Sequence, residues 1–169
     1  GDIARTLSTL EVPGTPAAPG FYHITILNLG DDLPIETLAK AVPVIYEVTQ
    51  KTQPFTVETS RVTCFDDHGS GFPVHCQIES RALHKMWEQL ADRFRASSLP
   101  FSDKWPTYKP HVTLSYATHR VEQEIPKVAW GVSEITLWGG DSGDQRVSVN
   151  FAFSLTMAQR IARRFQRLA

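Results

Sequence analysis

Two copies of one short pattern, a histidine and a threonine separated by a single apolar residue, constrain this chain more than any other feature. The first copy is His23-Ile24-Thr25, and the second is His111-Val112-Thr113, about half the chain later. Both lie in runs of β-branched and aromatic residues that are typical of strands. In an extended chain residues i and i+2 point to the same side. Each histidine is therefore expected beside its threonine, with the intervening residues directed into a core.

Two imidazoles and two hydroxyls gathered around one pocket supply what phosphodiester cleavage needs. A neutral imidazole can accept a proton from the attacking hydroxyl or water, and a protonated one can give a proton to the leaving oxygen. Threonine hydroxyls can donate to the non-bridging phosphoryl oxygens, whose charge grows in the transition state. The motifs therefore predict acid–base cleavage without a metal or other cofactor, with His23, Thr25, His111 and Thr113 as the catalytic residues.

The paired motifs resemble those of the 2H phosphoesterase superfamily. That superfamily includes 2'-5' RNA ligase-like proteins, 2',3'-cyclic nucleotide phosphodiesterases and viral enzymes that destroy 2'-5' oligoadenylate or cyclic oligonucleotide signals. The resemblance covers roughly residues 20–155. It implies an α+β fold of two pseudo-symmetric antiparallel sheets that face a central cleft, with helices outside. Many relatives carry an arginine or lysine where this chain has Tyr116.

The rest of the chain predicts the framework around the motifs. Residues 1–20 are expected to be a linker or N-terminal extension without a regular ladder, because prolines and glycines cluster between Pro13 and Gly20. Residues 21–169 are expected to form a single two-lobed domain. A helix should follow the acidic pair Asp31-Asp32, with Pro43 kinking or interrupting it. Periodicity predicts strands at 21–27, 55–65, 73–80, 111–117, 132–138 and 146–155, and helices at 81–96 and 156–168.

Five further residues are expected to contact the substrate: Trp105, Tyr108, Lys109, Ser115 and Trp138. The first three lie in the loop that enters the second motif, where aromatic rings can stack a nucleobase and a lysine can attract phosphate. Ser115 lies two residues beyond Thr113 and would extend the same polar face. Trp138 precedes a Gly-Gly turn at the end of a strand. By the same alternation, Tyr116 is expected to point away from the motif and pack.

The remaining histidines and the cysteines predict no metal centre. Cys64 and Cys76 fall in neighbouring predicted strands, where a disulfide is conceivable, but two cysteines make no framework and reduced, buried thiols are favoured. His68, in a turn, and His84, on the outer side of a helix, are expected on the surface. Four histidines lack partners at metal-ligand spacing: His68, His75, His84 and His119.

Composition narrows the class of protein further. A chain of 169 residues with 41% hydrophobic and 21% charged residues can bury a core. Its net charge of −1 gives no overall attraction to nucleic acid, although a local basic patch remains open. No apolar run approaches the roughly 20 residues of a membrane span, and no signal-peptide pattern is present. We expect a cytoplasmic protein (host cytoplasm if viral), monomeric or part of a larger polypeptide, that binds a nucleotide or oligonucleotide and no membrane.

The predicted function is cleavage of nucleotide linkages that involve the ribose 2' position. The substrate is either a small signalling oligonucleotide, 2'-5' linked or cyclic, or a 2',3'-cyclic phosphate on an RNA end or mononucleotide. Tyr116 in place of a basic residue favours the small signalling nucleotide. The sequence leaves open which histidine is the base. A non-catalytic RNA-binding or interaction module on the same fold is the alternative, with the arginine-rich segment at 156–168 as its contact.

Overall fold

The computed structural model describes residues 3–18, 22–30, 33–102, 104, 107–139 and 147–155. It is an α+β fold of antiparallel strands with few helices, which confirms the predicted class. The predicted last helix, the turn at 140–146 and the acidic pair Asp31-Asp32 lie outside the described residues. In chain order the elements are α1 (Ile3–Ser8), β1 (Thr15–Pro16), α2 (Ile35–Gln50), β2 (Phe55–Cys64), β3 (Phe72–Glu79), α3 (Arg81–Ala96), β4 (His111–Ala117), β5 (Gln123–Glu124), β6 (Ala129–Val132), β7 (Glu134–Gly139) and β8 (Val147–Ala152).

The chain contacts divide it into two compact units. The first unit contains a six-stranded sheet with the strand order β1-β4-β3-β2-β5, and β6 pairs with β2. The second unit contains α2, most of α3 and the two-stranded sheet β7-β8. The first unit comprises Gly1–Ile26, Thr56–His84 and Trp105–Trp130, and the second comprises Leu27–Phe55, Lys85–Lys104 and Gly131–Ala169.

The helices follow the periodicity of their sequences. The prediction of α3 is confirmed over its full length, and its buried residues Met86, Leu90 and Phe94 recur at four-residue steps. The Ser80 hydroxyl accepts a hydrogen bond from the Leu83 N–H at 3.3 Å and so caps this helix. These local signals are strong enough to fix the helix without knowledge of its neighbours.

Helix α2 departs from prediction at its proline. It continues from Ile35 to Gln50 through Pro43, so the predicted interruption is wrong. Pro43 is exposed, and water can therefore hydrate the carbonyl that the missing proline N–H leaves without a partner. The opposite face of α2, with Leu38, Ile45 and Val48, is buried and keeps the helix in place.

The N-terminal segment joins the first unit. Thr15 lies opposite Tyr116 and Pro16 opposite Ser115, and the Ala17 N–H donates to the Leu114 carbonyl at 2.8 Å. The prediction that this stretch lacks a regular ladder is therefore wrong at β1. The edge of β4 offers unpaired backbone groups, and a short segment can pair with such an edge although it contains prolines.

The first motif shows the burial pattern of a strand without its pairing. His23 and Thr25 are exposed, whereas Tyr22, Ile24 and Ile26 are half-buried, as the alternation predicts. Among the described residues of this stretch, 22–27, none is assigned to a sheet, so the predicted strand is wrong there. Alternating hydrophobicity encodes which side chains are buried, but it does not encode a hydrogen-bonded neighbour.

Both cysteines are free thiols. Cys76 lies opposite Val62, while Cys64 lies opposite Val74, so the two are offset along the β2–β3 pair. Burial raises the pKa of the Cys76 thiol to about 11, and this thiol is inert at neutral pH.

We predict that Gly14→Ala detaches the N-terminal segment from β4. Gly14 has a φ of +102°, and an added Cβ would overlap the Tyr116 carbonyl and lie 2.8 Å from the Ala117 Cα. Gly69→Ala is the matched control, because its φ is +104° but nothing lies within 4 Å of an added Cβ. Gly69→Ala should lower the free energy of unfolding by about 1–2 kcal/mol through backbone strain alone. Gly14→Ala should lower it further.

Denaturant titration and hydrogen exchange check this prediction. The Ala17 amide, protected by its bond to Leu114, should exchange faster in Gly14→Ala and at its original rate in Gly69→Ala. Equal losses of stability in the two variants, with Ala17 still protected in both, would show that the close packing of Gly14 on β4 contributes nothing.

Candidate active site

The second motif lies on β4, which pairs with β3 in the sheet of the first unit. Strand β3 pairs with β4 so that Gln77 is opposite His111 and His75 is opposite Thr113. Directly opposed residues of an antiparallel pair share a face, so these four polar side chains form one patch. Val112 and Cys76, which are also opposed, are buried on the other face. The sheet therefore presents two adjoining polar pairs above an apolar core.

The orientation of the His111 imidazole is fixed by a backbone hydrogen bond. Its Nδ1 lies 2.7 Å from the Lys109 carbonyl oxygen. A carbonyl only accepts, so Nδ1 carries the proton and Nε2 of the neutral ring holds the free lone pair. Burial lowers the pKa of His111, the bond to Lys109 raises it, and the charge of His23 lowers it further. The net effect favours the neutral ring, which is the form that acts as a base.

The first motif lies near the second. The charge of His23 lowers the pKa of His111, so the two imidazoles lie within electrostatic reach of each other in the first unit. The Tyr108 hydroxyl donates to the Thr25 carbonyl at 3.2 Å and connects the loop before the second motif with the first motif. Burial raises the pKa of this phenol, which remains a hydrogen-bond donor at any physiological pH. The four predicted catalytic residues are thus brought to one region of one unit.

A β-bulge in β4 reverses the predicted orientations of Ser115 and Tyr116. Along β3, Val74 and His75 are consecutive, but their partners on β4 are Ser115 and Thr113, so Leu114 is the extra residue. The bulge reverses the alternation beyond it. Ser115 is fully buried and donates to the Pro13 carbonyl at 2.6 Å, so it secures the N-terminal segment and does not extend the polar face. Tyr116 is 46% exposed, and the prediction that it packs is wrong.

The bulge also gives Tyr116 a new place. Because residues 114 and 115 are both buried, Tyr116 returns to the face that carries His111 and Thr113. Its cross-strand partner Pro73 is half-buried on that face. The exposed phenol ring therefore lies on the same face of the sheet as the two motif residues.

The remaining residues that were predicted to contact the substrate lie in different parts of the structure. Lys109 is exposed, and its positive charge lowers the pKa of His75, so the ammonium lies near the polar face. Trp138 is on β7 of the second unit, opposite Ser148, and 58% exposed. Trp105 lies outside the described residues. His68 and His84 are exposed, as predicted.

His75 is a neighbour of the site that sequence reasoning did not assign to it. Only 4% of its surface is exposed, and its ring contacts His111 with the centroids 5.1 Å apart. Its Nδ1–H donates to the Pro73 carbonyl at 3.3 Å. Burial lowers its pKa from the usual 6.5 to about 4, so this imidazole is neutral. The alternation of Pro73, His75 and Gln77 with apolar residues was the available signal, but only the strand register connects it with His111.

The described residues contain neither a metal-binding cluster nor a membrane-spanning helix. No group of three or more His, Cys, Asp or Glu side chains in the described ranges could hold a metal ion. No helix in the described part of the chain is long and apolar enough to cross a membrane.

Solved structures of proteins from Thermus thermophilus and E. coli have a similar fold. TT0787 of Thermus thermophilus is 20% identical, with 90% of this chain and 92% of that chain covered and a TM-score of 0.66. E. coli LigT complexed with NADP+ is 20% identical, covers 90% of this chain and 89% of its own, and has a TM-score of 0.61. E. coli LigT complexed with 3'-AMP is 17% identical over 91% and 93% of the two chains, with a TM-score of 0.60. At these identities the likeness shows the fold.

The family follows from the sequence itself. Residues 14–144 match the family model of the 2'-5' RNA ligase superfamily. The chain belongs to this superfamily, and the resemblance to the 2H phosphoesterases is confirmed. Membership supports a phosphoesterase activity in the broad sense. No curated protein sequence matches the chain.

We predict that His75 makes the stability of the protein depend on pH between about 6.5 and about 4. Above pH 6.5 the ring is neutral in both the folded and the unfolded chain. Below that pH the unfolded chain binds a proton that the folded chain excludes until about pH 4. The free energy of unfolding should therefore fall by about 1.4 kcal/mol per pH unit in this window.

Urea titrations of the wild type and His75→Phe at several pH values measure this contribution. The two proteins should differ in slope by about one proton between pH 6.5 and 4 and have equal slopes above pH 7. Equal slopes over the whole range would mean that His75 can bind a proton in the folded protein, contrary to its buried position.

Proposed function

We propose that this chain is a metal-independent phosphodiesterase that cleaves nucleotide linkages involving the ribose 2' position. The observation that carries the proposal is that both His-x-Thr motifs lie in one unit, with the Nδ1 of His111 bonded to the Lys109 carbonyl and the pKa of His111 lowered by burial. The two imidazoles can provide a base and an acid, and the two threonines can provide hydroxyl donors. No other residue type is needed for in-line displacement at phosphorus.

The environment of His111 favours it as the base. For a 2',3'-cyclic phosphate, its Nε2 accepts a proton from water as the water oxygen bonds to phosphorus. The bond from phosphorus to one ribose oxygen breaks, and the His23 imidazolium gives its proton to that oxygen. The products are a phosphate monoester and a free hydroxyl. For a 2'-5' linkage, the neighbouring 3'-hydroxyl can take the place of water and leave a cyclic phosphate.

Thr25 and Thr113 are proposed to bind the phosphoryl oxygens. Each threonine is two residues from its histidine, so its hydroxyl lies on the side from which that imidazole acts. Hydrogen bonds to a charged group contribute about 1.5–3 kcal/mol. The threonines should therefore contribute less to the rate than the histidines do. Lys109 adds a positive charge near the same face and would attract the anionic substrate.

The substrate class is proposed from the face of β4 and from the structural neighbours. E. coli LigT structures contain 3'-AMP, NADP+ or ATP, which supports a nucleotide as ligand. Tyr116 offers an exposed aromatic ring where a cation would favour a longer phosphate backbone. We therefore favour a small signalling oligonucleotide, 2'-5' linked or cyclic, with a 2',3'-cyclic phosphate as the other candidate.

We predict that a cleavage assay with a substrate panel in EDTA will show turnover that depends on both motifs. The panel contains 2',3'-cyclic mononucleotides, 2'-5' and 3'-5' oligoadenylate, and cyclic di- and trinucleotides. His111→Ala and His23→Ala should each lower kcat by about 100- to 10,000-fold, because each removes a proton-transfer group. Thr113→Val should lower it by about 10- to 150-fold.

His119→Ala is the control, since His119 is an exposed histidine in the turn after β4. It should leave kcat unchanged. Cleavage that survives loss of both motif histidines would contradict the proposal. Nucleotide binding by a folded wild type that cleaves no member of the panel would favour a non-catalytic binding module.

We predict that Tyr116 contributes to substrate binding by stacking. Tyr116→Ala should raise KM for the cleaved nucleotide by about 5- to 150-fold, because stacking of a base on an aromatic ring contributes about 1–3 kcal/mol. Tyr116→Phe should retain the wild-type KM, since it keeps the ring. Tyr46→Ala is the matched control, because Tyr46 is an exposed tyrosine on α2 of the other unit. Equal KM values for wild type and Tyr116→Ala would exclude this contact.

A further inference from the structure

Two rings form a wall beside the His111 imidazole. We define the ring wall as Phe65, which follows β2, and His75 on β3. The two rings stack with their centroids 3.9 Å apart and an interplanar angle of 18°. His111 meets both of them edge-on, at 4.8 Å and 81° from Phe65 and at 5.1 Å and 65° from His75. The imidazole of the second motif therefore packs against a double ring surface.

The backbone holds this wall in place. The Phe65 N–H donates to the Pro73 carbonyl at 3.1 Å, and the His75 Nδ1–H donates to the same oxygen at 3.3 Å. His75 also lies between Thr63 and Thr113 in the strand register. Both wall residues are thus anchored to β3, the strand that pairs with the strand of His111.

We infer that the ring wall positions the His111 imidazole for proton transfer. The hydrogen bond from Nδ1 to Lys109 fixes one atom of the ring but permits rotation about that contact. The two edge-on ring contacts remove that rotation, so Nε2 keeps one direction. Rate depends steeply on such alignment, since a misplacement of about 1 Å can cost 100-fold. This role rests on the proposed function, because it gives His111 the part of a base.

A histidine suits the wall because its ring is neutral when buried. A cation beside His111 would oppose protonation of the base after it accepts the proton. The charged or titratable groups around His111 are already Lys109 and His23, and Arg61 donates to Gln77, the residue opposite His111. The neutral His75 ring packs against His111 and shields it from water, and it places no further charge beside it.

The variants His75→Ala and His75→Phe test whether the ring of His75 positions His111 or whether the His75 imidazole itself takes part in the reaction. His75→Ala removes half of the wall and should lower kcat by about 10- to 100-fold, with KM within about twofold of wild type. His75→Phe keeps a stacked ring and should retain kcat within about threefold. The acid limb of the kcat–pH profile should move to higher pH in His75→Ala, because water then reaches His111 and relieves its desolvation. Thermal unfolding of both variants confirms that they are folded.

NMR titration of the His111 imidazole gives a readout that needs no substrate. In wild type the Nδ1–H tautomer should predominate. In His75→Ala the His111 pKa should rise toward its usual value, and both tautomers should be populated. His119→Ala serves as the control and should leave the His111 titration unchanged. If wild type cleaves no member of the panel, the proposed function fails, and this titration still tests whether the wall holds the ring.

Two results would overturn the inference. One is a folded His75→Ala protein with wild-type kcat and an unchanged His111 titration. The other is a His75→Phe protein that loses as much activity as His75→Ala, because the imidazole of His75 would then act in the chemistry itself.

Discussion

The pairing of β4 with β3 is the constraint on which the site depends. This register places Gln77 beside His111 and His75 beside Thr113, while Cys76 and Val112 close the core underneath. A shift by one residue would direct the motif into the core and the apolar residues toward solvent. The two buried residues therefore hold the register that the chemistry needs. The hydrogen bond from His111 to Lys109, just before the strand begins, completes the orientation.

The β-bulge at Leu114 separates β4 into two parts with opposite alternation of buried and exposed residues. Before Leu114 the outward residues are His111 and Thr113, and after the bulge the outward residue is Tyr116. The inward Ser115 binds the Pro13 carbonyl and so joins the N-terminal segment to the strand. The bulge thus serves both the site, by adding an aromatic ring to its face, and the fold, by securing an edge of the sheet.

Burial has a different consequence at each of the two histidines His75 and His111. Burial is the first cause of the lowered pKa of both His75 and His111. For His111 this favours the neutral imidazole. For His75 it lowers the stability of the folded protein at low pH. The His75 ring also packs against His111.

The sequence predicts well which residues form a helix and which side chains share a face. It predicts poorly which strands pair and in which register. The motif faces and the helix Arg81–Ala96 follow from side-chain periodicity, which is a property of the chain alone. Alternation misplaces Ser115 and Tyr116 because a bulge is defined by the partner strand and leaves no mark in a simple pattern. Alternation also fails to connect His75 with His111. These two residues are far apart in sequence and come together only through the register of β3 with β4. Prolines hide the β1 pairing, because they disfavour a strand locally but permit one at an edge.

A crystal structure of the protein with adenosine and vanadate would test the central claim most directly. Vanadate bridges the ribose 2'- and 3'-oxygens in a five-coordinate ester that resembles the transition state. The account predicts that the imidazoles of His23 and His111 lie about 2.6–3.2 Å from oxygens on opposite sides of the vanadium. The hydroxyls of Thr25 and Thr113 should contact the equatorial oxygens. Vanadate bound away from this face, or within reach of only one of the two histidines, would contradict a site formed by the two motifs together.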